Sequence, residues 1–120
     1  MQTRPSKQVK TKNDPVLSLL GLSAAGRNLV SGGFSVDKAI KEGRASLVVV
    51  ATDASENTRK SFNDSCTYYQ VPIVFYGTKD ELGHALGKEE RSSAAVTDPG
   101  LAKSIMAKIK VLDEANGGSK

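Results

Sequence analysis

Residues 47–51 read LVVVA. They are apolar on both alternations of an extended chain. A strand with one face in water alternates apolar and polar residues, whereas a strand covered on both faces does not. The stretch therefore predicts a strand whose sheet carries helices on both sides. Just upstream, Leu29 and Val30 predict a very short strand, and residues 35–42 predict a helix. Val36, Ala39 and Ile40 recur at i, i+3 and i+4 there, while Lys38 and Lys41 face outward and Gly43 is the stop.

The same reading extends to both ends. Asp14-Pro15 opens a first helix to about residue 26, since Asp14 can cap free N–H groups and Pro15 fits the first helical position. Its inward stripe is Val16, Leu17, Leu19, Leu20 and Ala24. A third helix, residues 56–69, places Phe62, Cys66 and Tyr69 on one face. Residues 73–76 form another apolar strand. Thr78 caps a helix over residues 79–86, with Leu82, Ala85 and Leu86 inward and Gly87 stopping it. A polar loop, residues 88–92, leads to a strand at residues 93–97. Asp98-Pro99 starts the last helix, with Leu101, Ile105, Ile109 and Leu112 inward. Strands alternate with helices throughout, which makes this an α/β chain. The expectation is a single domain over residues 14–113: a three-layer α-β-α sandwich around a four-stranded mixed sheet.

Length and charge bound the rest. A chain of 120 residues fits one domain with an ordinary core. No apolar run approaches the roughly 18 residues of a membrane span, and no apolar leader is visible. Cys66 is the only cysteine, which suits a reducing compartment, so a cytoplasmic protein is expected. The net charge of +4 does not belong to the domain. Arg4, Lys7, Lys10 and Lys12 supply it within a polar, aperiodic segment at residues 1–13, leaving thirteen basic residues against thirteen acidic ones. Residues 1–13 are expected to be a disordered basic tail and residues 114–120 a frayed end.

Catalytic chemistry finds little support. A nucleophile–base pair would need Cys66 or a serine beside His84, the only histidine. Cys66 falls on an apolar helix face, and His84 lies outside the Leu82/Leu86 stripe. One Cys and one His cannot build a zinc site. Asp53 and Glu56 read as a carboxylate pair at a strand end or as caps of the third helix. No Walker-type or G-x-G-x-x-G phosphate loop occurs. The chain is expected to be non-enzymatic, with no cofactor and no metal.

The remaining feature is residues 31–35, SGGFS, directly before the second helix. A helix N-terminus presents unpaired N–H groups and partial positive charge, so Gly32, Gly33 and Ser35 can receive a phosphate or a guanine acceptor. Lys38 and Lys41 lie on that helix, and Arg27 ends the helix before it. Phe34, if exposed, can stack on an unpaired base. A plain turn also fits: the glycines turn the chain, Ser35 caps, and Phe34 staples onto Ala39 or the Lys38 stem. The residues alone leave both readings open.

Three stretches carry a resemblance across residues 16–109: LLGLSAAGRNLVSGGFSVDKAIKEGRASLVVVATDAS, NTRKSFNDSCTYYQVPI and ELGHALGKEERSSAAVTDPGLAKSI. In their order and spacing the chain resembles the kink-turn-binding ribosomal protein family, and most closely its small bacterial YlxQ-like branch. The resemblance implies an α-β-α sandwich that binds structured RNA, preferably a kink-turn, within the ribosome or another ribonucleoprotein. No membrane or DNA-specific role is implied. It also implies that a G-x-N-E-x-x-K signature at the second helix reads guanines and phosphate. Gly32 and Lys38 match that signature, but Phe34 stands at the Asn and Ser35 at the Glu. A second loop, after an L-G-x-A-x-G run, covers extruded nucleotides. Leu82 to Gly87 match the run, which brings Lys88, Arg91 and Ser92 toward the RNA. The expected RNA-binding set is Arg27, Gly32, Gly33, Phe34, Ser35, Lys38, Lys41, Lys88, Arg91 and Ser92. The alternative is a protein-interaction module that kept the fold and lost specific RNA reading.

Overall fold

The structure is a computed structural model that describes residues 14–116. The expected tail at residues 1–13 and the last four residues of the expected frayed end lie outside the described residues. Nine elements follow in order: α1 (Pro15–Ala25), β1 (Leu29–Ser31), α2 (Gly33–Lys41), β2 (Leu47–Val50), α3 (Glu56–Tyr69), β3 (Ile73–Phe75), α4 (Lys79–Ala85), β4 (Ser93–Val96) and α5 (Pro99–Asn116). α5 continues three residues past the expected domain end.

The strands form one mixed sheet in the order β1-β4-β2-β3. β4 is antiparallel to both β1 and β2, and β2 is parallel to β3. β2 and β4 are the inner strands, and both are buried throughout. That explains why LVVVA carries no polar alternation: helices cover both faces. α2 packs against α3, and α1 packs against α4 and α5. The fold is the expected three-layer α-β-α sandwich around a four-stranded mixed sheet. Val16, Leu20, Val36, Ile40, Leu82 and Ile105 fill the space between sheet and helices at essentially zero exposure.

Several expectations are corrected. α2 begins at Gly33, not near residue 35, and its N-cap is Gly32, so Ser35 lies within the first turn instead of capping it. The third helix is capped by Ser55, whose hydroxyl accepts from the Thr58 N–H. Asp53 turns away from that helix and accepts the Lys79 N–H at the start of α4, at 2.8 Å. Tyr69, the last residue of α3 before the left-handed Gln70, lies outward at 42% exposure and does not join Phe62 and Cys66 in the core. Ser23, unremarked in the apolar stripe, is buried, and its hydroxyl donates to the Leu19 carbonyl. Asp14 and Thr78 cap their helices as read.

Candidate nucleic-acid interface

The sheet order brings four helix N-termini to one end of the molecule. β1, β2 and β3 finish there and β4 begins there: Ser31 pairs with Ala94, Val50 with Ser93 and Phe75 with Val50. α2, α3 and α4 each start from a strand that ends at this edge. α1 starts there too, because the Tyr76 hydroxyl donates to Asp14 Oδ2 at 2.7 Å. Helix starts carry partial positive charge and free N–H groups. Three of these four are satisfied internally. Asp14 accepts from Val16 and Leu17, Ser55 accepts from Thr58, and Thr78 with Glu81 forms a reciprocal capping box. The fifth helix, α5, is served by Asp98, which accepts from Leu101.

α2 differs. Its N-cap is Gly32, at φ 94° and ψ 147°, and no side chain caps it. Only glycine takes that backbone conformation without strain. The Gly32 N–H donates to the Ser93 carbonyl, and the Gly32 carbonyl accepts from Val36. The N–H groups of Gly33, Phe34 and Ser35 find no acceptor among the described residues. A Cβ built on Gly32 or Gly33 would meet nothing within 4 Å, so the approach to these amides is open. Phe34 stands beside them at 82% exposure.

The segment at residues 86–92 closes one side of this edge. The Lys88 N–H returns to the Gly83 carbonyl at 2.8 Å, and the Arg91 N–H donates to the Lys79 carbonyl at 3.1 Å. Gly83 makes the fit possible, since a Cβ there would collide with the Glu89 carbonyl oxygen. The Ala51 N–H donates to the Ser92 carbonyl. Arg91 reaches across to β1: Nε donates to Ser31 Oγ at 3.1 Å, and Nη1 donates to the Glu90 carbonyl at 3.0 Å.

Residues 14–106 match the model of the ribosomal protein L7Ae/L30e/S12e/Gadd45 family. The chain belongs to that family. It is similar to the RNA-binding protein YlxQ of Bacillus subtilis, 44% identical over 89 residues that cover 74% of this chain and 89% of that one. The RNA-binding protein YlxQ of Enterococcus faecium is 34% identical, covering 72% and 84% of the two chains. A Bacillus halodurans protein of unknown function superposes with a TM-score of 0.79 at 39% identity, covering 82% of this chain and 99% of that one. A Giardia lamblia 15.5 kD RNA-binding protein shares the fold, with a TM-score of 0.70 at 23% identity over 93% and 95% of the two chains.

Gly32, Gly33, Phe34 and Ser35 form the open start of α2; Arg91 bonds Ser31 just before it, whereas the Ser92 carbonyl accepts from Ala51 beyond the end of β2. Lys88 is exposed on the same loop. The staple proposed for Phe34 is not formed, since its ring is in solvent. Lys38 falls on the second turn of α2, which starts at Gly33, and it lies 3.9 Å from Glu42. Lys41 ends the helix, about 12 Å along the axis from Gly33 at 1.5 Å per residue. There Asp37, at 3.1 Å, raises the Lys41 pKa through a hydrogen bond and its charge. Arg27 is left at the other end of β1, where Asn28 bonds Thr97, so the structure does not bring it to the helix start.

Ser31 and Gly83 were not singled out from the sequence. Gly83 belongs to the L-G-x-A-x-G run, but its closeness to Glu89 appears only in three dimensions. His84 is exposed. Cys66 is buried, and burial pushes its thiol up to about 11. That leaves it protonated at neutral pH and a poor nucleophile. Among the described residues no cluster of three or more His, Cys, Asp or Glu side chains could hold a metal ion, and no helix is long and apolar enough to cross a membrane.

Proposed function

We propose that this protein is a non-enzymatic RNA-binding protein for a kink-turn or similarly bent, structured RNA, working in the ribosome or another ribonucleoprotein. The observation that carries the reading is the α2 start: three unpartnered amides on an open glycine approach, in a chain 44% identical to an RNA-binding protein. Every other helix in the described chain has its first turn capped by a side chain. Such amides, with the helix dipole behind them, take phosphate oxygens or guanine acceptors. Lys38 adds a cation one turn inward.

Phe34 and Ser35 set the mode of reading. A phenyl ring cannot read a base edge, but it stacks on a base turned out of its helix. Ser35 offers one short hydroxyl in place of a carboxylate. Glu89 and Glu90, both exposed, direct the neighbouring loop toward bases instead of phosphates. Recognition of this kind reads bend and extruded bases more than the identity of the paired guanines.

The test is a fluorescence-anisotropy titration at two salt concentrations. One RNA carries a kink-turn; the other has its G·A pairs replaced by Watson–Crick pairs. The expected result is at least about tenfold preference for the kink-turn, equivalent to roughly 1.4 kcal/mol. Equal binding to both RNAs that disappears when residues 1–13 are removed would refute specific recognition. Phe34 would then be left as an exposed protein-docking residue.

A further inference from the structure

We propose that the Ser31–Arg91 bridge is a clamp that fixes the 86–92 loop against the start of α2, and that Arg91 serves RNA binding as a positioning residue, not as a phosphate contact. The inference rests on the RNA reading above and names a device within the same site.

Two polar links join the loop and the first residues of β4 to the β1–α2 junction. One is the Gly32 N–H to the Ser93 carbonyl at 3.1 Å. The other, nearer the loop, is Arg91 Nε to Ser31 Oγ at 3.1 Å, between residues sixty positions apart. The first is a continuation of the β1–β4 ladder. The second is the only side-chain bond from the loop to β1 among the described residues. Arg91 is further held by its own N–H on the Lys79 carbonyl and by Nη1 on the Glu90 carbonyl. One residue therefore ties together the ends of β1, α4 and the loop.

Three features separate Arg91 from a surface cation. It is half-buried, while residues 87–90 beside it are exposed. Its guanidinium is already oriented by two fixed acceptors, a geometry that a lysine ammonium cannot reproduce. Its chain neighbours Glu89 and Glu90 offset its charge toward any phosphate. A loop fixed before binding loses less conformational freedom when RNA docks, so the clamp contributes to affinity without touching the ligand.

Ser31→Ala, Arg91→Lys and the double variant, all full length, are compared with the wild-type protein by two measurements, and Arg91→Ala is added to the second. The first, amide hydrogen exchange without RNA, should show faster exchange at the Arg91 and Gly32 N–H groups in all three variants. The second, kink-turn RNA affinity across salt concentrations, should show a loss of about fivefold for each single variant, the size of one hydrogen bond. The double variant should lose no more than either single one, and the slope of log K against log salt should stay unchanged. The proposal is overturned if Arg91→Lys binds like wild type while Arg91→Ala lowers that slope by about one, the mark of a phosphate contact. It is also overturned if exchange is unchanged in Ser31→Ala and Arg91→Lys, whatever the RNA result. Faster exchange with no RNA binding by the wild-type chain supports the clamp and rejects the RNA reading instead.

Discussion

Gly83→Ala sets two effects of opposite sign against each other. Gly83 lies inside α4 and has no positive φ, so helix propensity alone favours alanine by about 1 kcal/mol. Packing opposes it. The new Cβ would collide with the Glu89 carbonyl oxygen and stand 2.6 Å from the Glu89 carbonyl carbon and 2.9 Å from Glu90 Cα. These are backbone atoms, so no side chain can rotate away. The loop must shift, and it is held by the Lys88–Gly83 bond at 2.8 Å and the Arg91–Lys79 bond at 3.1 Å. Overpacking costs about 1–3 kcal/mol and each hydrogen bond lost about 1 kcal/mol. The clash wins, with a net destabilisation of about 2–3 kcal/mol. For a domain of this size that lowers Tm by roughly 10–15 °C. Thermal unfolding followed by circular dichroism measures it, with Gly33→Ala as control, because a Cβ there meets nothing within 4 Å. Melting of Gly83→Ala within about 2 °C of wild type would refute the reasoning, since even 1 kcal/mol moves Tm further than that.

Lys38→Ala should weaken RNA binding and reduce the salt slope by about one. Its Tm should hardly change, because the 3.9 Å pair with Glu42 is exposed and such pairs contribute well under 1 kcal/mol. Phe34→Ala should leave Tm unchanged, as the ring is 82% exposed, yet lower RNA affinity by about 1–3 kcal/mol if it stacks on a base; quenching of a fluorescent base analogue at the extruded position checks this. Tyr76→Phe removes the 2.7 Å bond to Asp14 and should cost about 1.5–3 kcal/mol in chemical denaturation, as befits a hydrogen bond to a charged acceptor. Stability should also fall in alkali. Burial raises the Cys66 thiol from 9.0 to about 11, and burial, then the bond to Asp14, lifts the Tyr76 hydroxyl well above its usual 10.0. Both groups lose their protons in the unfolded chain before the folded one, so stability is full below about pH 9 and declines toward pH 11. Denaturation midpoints from pH 7 to 11 test this, and Cys66→Ala should flatten part of the decline.

Local chemistry was legible in the sequence wherever a residue's partners lie within its own element. Asp14 reaches Val16 and Leu17, and Thr78 reaches Glu81, so both caps could be read from spacing. The covered strand at residues 47–50 was legible because burial on both faces removes polar alternation. The helix-start site was half legible. SGGFS marked the place, yet the residues did not decide between a turn and a binding site. Ser35 looked like the cap because serine is a good one. Gly32 took that position because its N–H is drawn to Ser93, a residue the sequence places far away. Asp53 was matched to the helix three residues on, but it serves α4, with a partner 26 positions away.

The sequence by itself determined the elements and the class, because periodicity and capping act over three or four residues. Tertiary structure decided which groups meet. The order β1-β4-β2-β3 sets Ser31 beside the segment that carries Arg91 and folds that segment over Gly83. It also leaves Arg27 at the far end of β1, although it lies only five positions before Gly32. Distance along the chain sets a residue's local conformation; the pairing of strands sets its neighbours, and the α2 start is a candidate site because of those neighbours.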